Sequence, residues 1–220
     1  MKRFWSEVTV ADRAVRLDGR PVRTPLRAEL VLPSAALAEA VAAEWRSVSG
    51  EIDPRAMPLT GLANAAIDRP PAPDALASYG ESDVLCYRAE EPPELAAREA
   101  AAWDPLLDWA RVRFDVALTV TTGIIHRDQP RETRARLAAA VGALDRWQRA
   151  GLNPLVTIGG SLVTALAVFE GAIDASAAFE ATHLDELWQA ERWGEDWMAT
   201  DARLARRGDF EAAARFLALL

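Results

Sequence analysis

Ala14-Val15-Arg16-Leu17-Asp18-Gly19-Arg20-Pro21-Val22-Arg23-Thr24 is the stretch that decides the fold class. Apolar and polar residues alternate on both sides of Asp18-Gly19, the mark of two half-buried strands. Glycine supplies the positive φ that a tight type I′ hairpin demands. Working outward, Phe4, Val8 and Val10 suggest a strand before this hairpin. Pro21-Val22-Arg23-Thr24 and Glu29-Leu30-Val31-Leu32 suggest two more. The period then changes. Ser34 can cap a helix whose apolar positions Leu37, Val41, Trp45 and Val48 fall at helical spacing, with Gly50 ending it. A short helix over Thr60 to Asp68 follows Met57-Pro58-Leu59.

Pro70-Pro71-Ala72-Pro73 is the best boundary, since consecutive prolines suit neither helix nor sheet. Beyond it the pattern is helical. Glu94 to Val112 carries Leu95, Trp103, Leu106, Leu107 and Ala110 on one side, with Pro105 expected to open a second piece. Arg131 to Arg149 places Leu137, Val141, Leu144 and Trp147 alike. An apolar helix over 154–170 is expected at the centre. Thr182 and Asp185 have capping-box spacing, predicting a long helix from Thr182 towards Arg207. A last helix, about Asp209 to Leu219, aligns Phe210, Ala214 and Leu217. The expected architecture is α+β: a small β-rich module over residues 1–69, followed by a larger, mostly α-helical bundle over 70–220.

Composition removes many functions. The chain has 220 residues, half of them hydrophobic, a net charge of −8, two His and one Cys. Of its 25 basic residues only Lys2 is lysine, so a phosphate-binding GxxxxGK loop is excluded, as is Schiff-base chemistry away from Lys2. The acidic balance argues against nucleic-acid binding. Two His and one Cys cannot make a Cys/His zinc site. A lone Cys excludes a disulfide framework and fits a reducing compartment. The longest uncharged window, 150–169, is too interrupted to span a membrane.

Enzyme readings are thin. Cys86, His126 and Asn153 follow the chain order of a Cys–His–Asn protease, but Val84-Leu85-Cys86-Tyr87 reads as buried structure. His183 with Asp185 and Glu186 is an incomplete metal site, and helix capping explains both acids adequately. Gly159-Gly160-Ser161 lacks the nucleophile-elbow pattern and reads as a close helix crossing. Glu191 and Glu195 have no sugar- or metal-binding companion. No catalytic, metal or cofactor residues are expected.

The informative charge lies between Glu170 and Asp201, with nine acidic residues and one basic, Arg192. On one continuous helix Glu186, Ala190, Trp193, Trp197 and Leu204 share a direction. Leu184, Leu187, Trp188, Met198 and Ala202 share another, with Glu191 and Glu195 among them. Trp188, Trp193 and Trp197 cannot all point inward, and Gly194 could break the helix and rotate its halves. Exposed tryptophan rimmed by carboxylates is what an interaction site looks like. Trp45, Trp103 and Trp147 fall on core stripes instead.

Several strings, taken in order, resemble one family. They begin with Lys2-Arg3-Phe4-Trp5, Asp18-Gly19-Arg20-Pro21-Val22-Arg23-Thr24-Pro25, Ala43-Glu44-Trp45 and Ile52-Asp53-Pro54. Met57-Pro58-Leu59-Thr60, Leu62-Ala63-Asn64-Ala65-Ala66-Ile67-Asp68 and Asp83-Val84-Leu85-Cys86-Tyr87-Arg88 continue the series. Trp103-Asp104-Pro105-Leu106-Leu107, Gly160-Ser161-Leu162 and Gln189 with Arg192-Trp193-Gly194-Glu195 close it. The family is that of the assembly chaperones for the alpha subunit of F-type ATP synthase, found in mitochondria and alphaproteobacteria.

The resemblance implies a chaperone without catalysis or cofactor. It would shield the alpha subunit's beta-facing surface until assembly displaces it, without nucleic acid or membrane insertion, as a monomer when free. It also implies that acidic positions of the C-terminal domain matter. Matched to this sequence, that points to the stretch Asp185-Glu186-Leu187-Trp188-Gln189, with Glu186 foremost, and Glu191, Trp193, Glu195 and Trp197 join Asp185, Glu186, Trp188 and Gln189 as partner-binding candidates. Without a presequence, the expectation is a bacterial cytoplasmic protein, or a matrix protein if eukaryotic. The alternatives are an acidic scaffold for another partner and a carboxylate-based hydrolase.

Overall fold

The structure, a computed structural model, describes residues 2–220, Met1 lying outside them. Strands β1 (Val8–Ala11), β2 (Ala14–Leu17) and β3 (Arg20–Pro21) form an antiparallel sheet in chain order. Leu17 pairs with Arg20, leaving Asp18-Gly19 as the two-residue turn, with φ of 47° and 78°. The Asp18 carboxylate also accepts the N–H groups of Ser6 and Glu7 at 3.0 and 2.8 Å, fixing the entry into β1. A second such turn, Asp12-Arg13, joins β1 to β2 with φ of 52° and 62°. It contains no glycine, which is why the sequence pattern hides it.

The two further strands expected over 21–24 and 29–32 are reduced to β3 and the isolated bridges Arg23–Glu29 and Ala14–Val31. Pro21 has no N–H to extend the ladder, and Pro25 turns the chain away. Helix α1 (Ala35–Ser47) starts on Ser34, whose Oγ accepts the Leu37 N–H at 3.0 Å. It ends at Val48, two residues before Gly50. Helix α2 (Pro58–Asp68) is capped from a distance. Glu44 accepts the N–H groups of Leu59 and Thr60, each at 2.8 Å, and the Thr60 hydroxyl at 2.7 Å. Asp68, at the other end of α2, accepts the Thr24 hydroxyl and the Leu26 N–H, tying the helix to the sheet's loop.

After α3 (Pro73–Ala77), two 3-10 turns lead to β4 (Tyr87–Arg88), which pairs in parallel with the distant β5 (Thr121–Thr122). Helix α4 (Pro93–Phe114) runs unbroken through Pro105, contrary to the expected second piece. The carbonyl of Ala101, which Pro105 cannot satisfy, lies on an exposed face where water can serve it. The expected helix over 131–149 is two, α5 (Arg131–Gly142) and α6 (Arg146–Gly159), because Asp145 and Gln148 form a capping box between them. The expected helix over 154–170 breaks as well. Gly160, at φ 65°, closes α6, and Ser161 caps α7 (Leu162–Phe169). The central position holds for α7, buried from Leu162 through Ala167.

Thr182 does not begin a helix but ends α8 (Ala175–Thr182), which Asp174 caps. Its hydroxyl donates back to the carbonyls of Ala178 and Phe179. Helix α9 (Leu184–Trp193) stops at Gly194, where φ is 89°. Helix α10 (Trp197–Ala218), capped by Asp196, then absorbs the separate last helix expected near 209.

Two apolar clusters hold the chain together. One gathers α4 to α8 around α7. The other joins the sheet, α1 and α2 to Trp147 and Ala150 of α6 and Phe216 of α10. Gly151 lets α10 approach α6, since a Cβ there would lie 2.6 Å from Leu217 Cδ2. Ser34 donates to the Leu219 carbonyl, pinning the C-terminus to the start of α1.

Candidate partner interface

On α9 the three tryptophans divide as geometry requires. Trp188 is buried, 7% exposed, with the Arg98 and Arg192 guanidinium groups 4.6 and 4.7 Å from its ring. Trp193 and Trp197 are 79% and 73% exposed. They flank Gly194 at the elbow between α9 and α10, and Met198 and Leu204 extend this apolar surface along α10. One continuous helix would place Met198 on the stripe of Trp188; the break at Gly194 separates them.

The carboxylates of the same segment differ in their freedom. Glu186 is committed internally, with Oε1 3.4 Å from Arg203 Nη1 and Oε2 2.5 Å from Arg206 Nη2. Glu195 accepts from Arg203 at 2.7 Å and from the Thr200 hydroxyl at 3.1 Å. Together these pairs lock the elbow. Glu191 binds Arg98 at 2.7 Å, while Gln189 is simply exposed. Asp185 is exposed and joins no ion pair among the described residues. It lines two neighbouring cavities, one of about 440 Å³ with Trp103, His183 and Glu186, and one of about 680 Å³ beside β4 and β5.

Beneath Asp185 lies Glu99 of α4, 1% exposed. Its Oε2 accepts the Ala89 N–H at 2.8 Å, and its Oε1 has no partner. Burial pushes this carboxyl up to about 7; the Ala89 bond opposes the rise and nearby Asp185 adds to it. The Arg88 charge opposes the rise only in part, since its Nη2 turns to Asp104 at 2.6 Å and the guanidinium stacks 4.9 Å from the centre of the Trp103 ring.

The groups weighed for catalysis have structural work instead. Burial pushes the Cys86 thiol up to about 12, so it carries no thiolate near neutrality. The ring nitrogens of His126 lie 3.1 Å from the Tyr87 hydroxyl and 3.2 Å from Asp128. His183 stacks on Phe179 at 3.8 Å, and burial holds its pKa below the usual imidazole range. Among the described residues no three His, Cys, Asp or Glu side chains gather to hold a metal, and no helix is long and apolar enough to cross a membrane.

One feature escaped the sequence reading. Ile124 and Ile125, 96% and 73% exposed, stand on the loop after β5. The available signal was two β-branched residues directly after Gly123, in a segment with no helical period to bury them.

Residues 2–111 match the model of a family described as the ATP12 chaperone protein. This chain belongs to the ATP12 chaperone family. It is similar to Atp12 from Paracoccus denitrificans, whose crystal structure is 40% identical with a TM-score of 0.92, covering 99% of this chain and 97% of that one. It is likewise similar to the Atu1473 protein of Agrobacterium tumefaciens, at 38% identity and a TM-score of 0.94, over 99% of this chain and 85% of that one. The mitochondrial protein atp12 of Schizosaccharomyces pombe is 26% identical over 214 residues, covering 88% of this chain and 74% of its own length.

In this ATP12-family chain, much of the motif series that carried the resemblance builds the scaffold. Glu44 caps α2, and Trp103 Nε1 donates to the Ala181 carbonyl at 2.7 Å. Asp83, fully buried, accepts the N–H groups of Leu85 and Val163 and so joins the turn before β4 to the start of α7. Burial pushes its carboxyl up to about 6 against those bonds.

Proposed function

We propose that this ATP12-family chaperone holds the unassembled alpha subunit of F-type ATP synthase over the surface that later meets the beta subunit, and yields it when that subunit arrives. The observation that carries the reading is the pair Trp193 and Trp197, both exposed at the elbow between α9 and α10 among carboxylates. An obligate subunit interface exposes a large apolar area before its partner arrives, and such an area aggregates. Two rigid aromatic anchors can cover part of it while leaving the affinity low enough for displacement.

Asp185, Gln189 and Glu191 extend this face along α9, whereas Trp188, expected among the contacts, is a packing residue because its ring is buried beneath Arg98 and Arg192. Glu186 and Glu195 shape it through their arginine pairs. The first module, expected over 1–69, acts as a brace, its described residues 2–69 seated on α6 and α10 of the helical domain 70–220. The chaperone works as a cytoplasmic bacterial monomer and needs no cofactor, nucleic acid or membrane.

Co-expression with the cognate alpha subunit tests this directly, by pull-down and light scattering of heated alpha subunit. The expected result is soluble co-purification, suppressed scattering, and loss of the complex when beta subunit is added. Binding that persists beside beta subunit, or scattering unchanged by the chaperone, refutes the reading.

A further inference from the structure

The cleft between the β4–β5 ladder and the start of α9 lies beside the tryptophan elbow, with a chemistry of its own. Its volume is about 680 Å³. Glu90, Glu91 and Asp185 line it, and none of the three is ion-paired among the described residues. Ile124 and Ile125 form its aliphatic rim.

The loop carrying this rim is held firmly. Tyr87 pairs with Thr121 and Arg88 with Thr122, and the Gly123 N–H donates to the Arg88 carbonyl at 2.8 Å. Gly123 has φ of 79°, a backbone conformation that favours glycine. Two large aliphatic side chains are thus displayed on a tethered stem, at a cost in hydration that folding alone does not recover.

Behind the wall lies a second, independent indication. Glu99 lies between the wall residues Ala89 and Asp185, and its buried Oε1 is without a donor. Buried carboxylate oxygens are ordinarily hydrogen-bonded. A cation seated against Asp185 would add to the partial offset that Arg88 supplies, since Asp104 and Trp103 hold that guanidinium away from Asp185.

We infer that this cleft receives an arginine or lysine side chain flanked by aliphatic residues on the client's unassembled interface, with Asp185, Glu90 and Glu91 facing the cation, Glu99 behind Asp185, and Ile124 and Ile125 covering its apolar neighbours. This rests on the alpha-subunit reading above and names the chemistry of the segment bound. The tryptophan elbow and the cleft then form two adjoining contacts, meeting at Asp185.

The test uses the full chain and purified alpha subunit in a titration, with three variants. I124S/I125S removes the aliphatic rim, and Glu90→Arg with Glu91→Arg reverses the charge. Val112→Ser, at an exposed position on α4, is the control. Each double variant is expected to bind at least tenfold more weakly with an unchanged melting temperature, and the control within twofold of the parent. A photo-crosslinker at position 125 should label an alpha-subunit peptide in which Arg or Lys adjoins Leu, Ile or Val. Parental affinity in both double variants, or a labelled peptide lacking a basic residue, overturns the cleft while leaving the alpha-subunit reading intact. Failure of the parent chain to bind alpha subunit overturns both.

Discussion

Replacing Glu186 with glutamine keeps its shape and removes its charge, and the structure sets what should follow. The pair with Arg206 is short, at 2.5 Å, but its side chains are 35% and 40% exposed. Such a pair contributes about 0.5–1 kcal/mol. Arg203 is only 10% exposed, yet it keeps Glu195 at 2.7 Å when the 3.4 Å contact to Glu186 is lost. That adds roughly another 0.5–1 kcal/mol, since a largely buried guanidinium loses one of two counter-charges. The sum is about 1–2 kcal/mol, or a melting temperature lower by about 2–8 °C for a chain this long. Glu186→Lys places a third cation beside two arginines, and its expected cost is about 3 kcal/mol.

Urea unfolding followed by tryptophan fluorescence measures this, at low salt and again near 1 M NaCl, where screening should shrink the difference. An unchanged urea midpoint in Glu186→Gln, with binding of the alpha subunit lost, would refute the reasoning. The arginine pairs would then be idle, and Glu186 would touch the partner itself.

Two further outcomes follow from buried groups. Glu99 has a folded pKa of about 7 against an ordinary value of 4.5, so the folded state holds the extra proton between those values. Stability therefore falls as pH rises through that window, by up to about 3 kcal/mol. Asp185→Asn removes the neighbouring charge while leaving Asp83 untouched. The variant should be about 1 kcal/mol more stable than its parent at pH 8 and equal at pH 4, and parallel urea midpoints at the two pH values would contradict this. Glu44→Ala should cost about 2–3 kcal/mol by stripping the acceptor from the Leu59 and Thr60 N–H groups, read as a lower melting temperature with unchanged helicity at 20 °C.

Signals complete within a few residues were legible. Asp18-Gly19 and Ser34 each carry their own chemistry, a positive-φ turn and a hydroxyl three residues from the N–H it accepts, and both stand where read. The capping pattern was ambiguous. It is real at Asp145 and Gln148 and false at Thr182 and Asp185. Thr182 already lies inside the helix begun by Asp174, so its hydroxyl finds carbonyls instead of free N–H groups. The pattern around Gly160 suggests a packing residue within a helix, yet its positive φ ends one helix, and Ser161 caps the next. Apolar period alone does not distinguish a long buried helix from two short ones.

The sequence by itself determined that the chain is a small β-rich segment followed by helices, that one helix carries more tryptophan than a core face can take, and which family it resembles. These follow from local pattern and composition. Only the tertiary structure decided which tryptophans face water and which acids are free. Arg203 and Arg206, seventeen and twenty residues away, claim Glu186. Glu99 and the loop at Ile124, far from α9 in sequence, come to lie beside Asp185. Charge pairing and exposure depend on neighbours brought together by packing, and a helix turn specifies only its own.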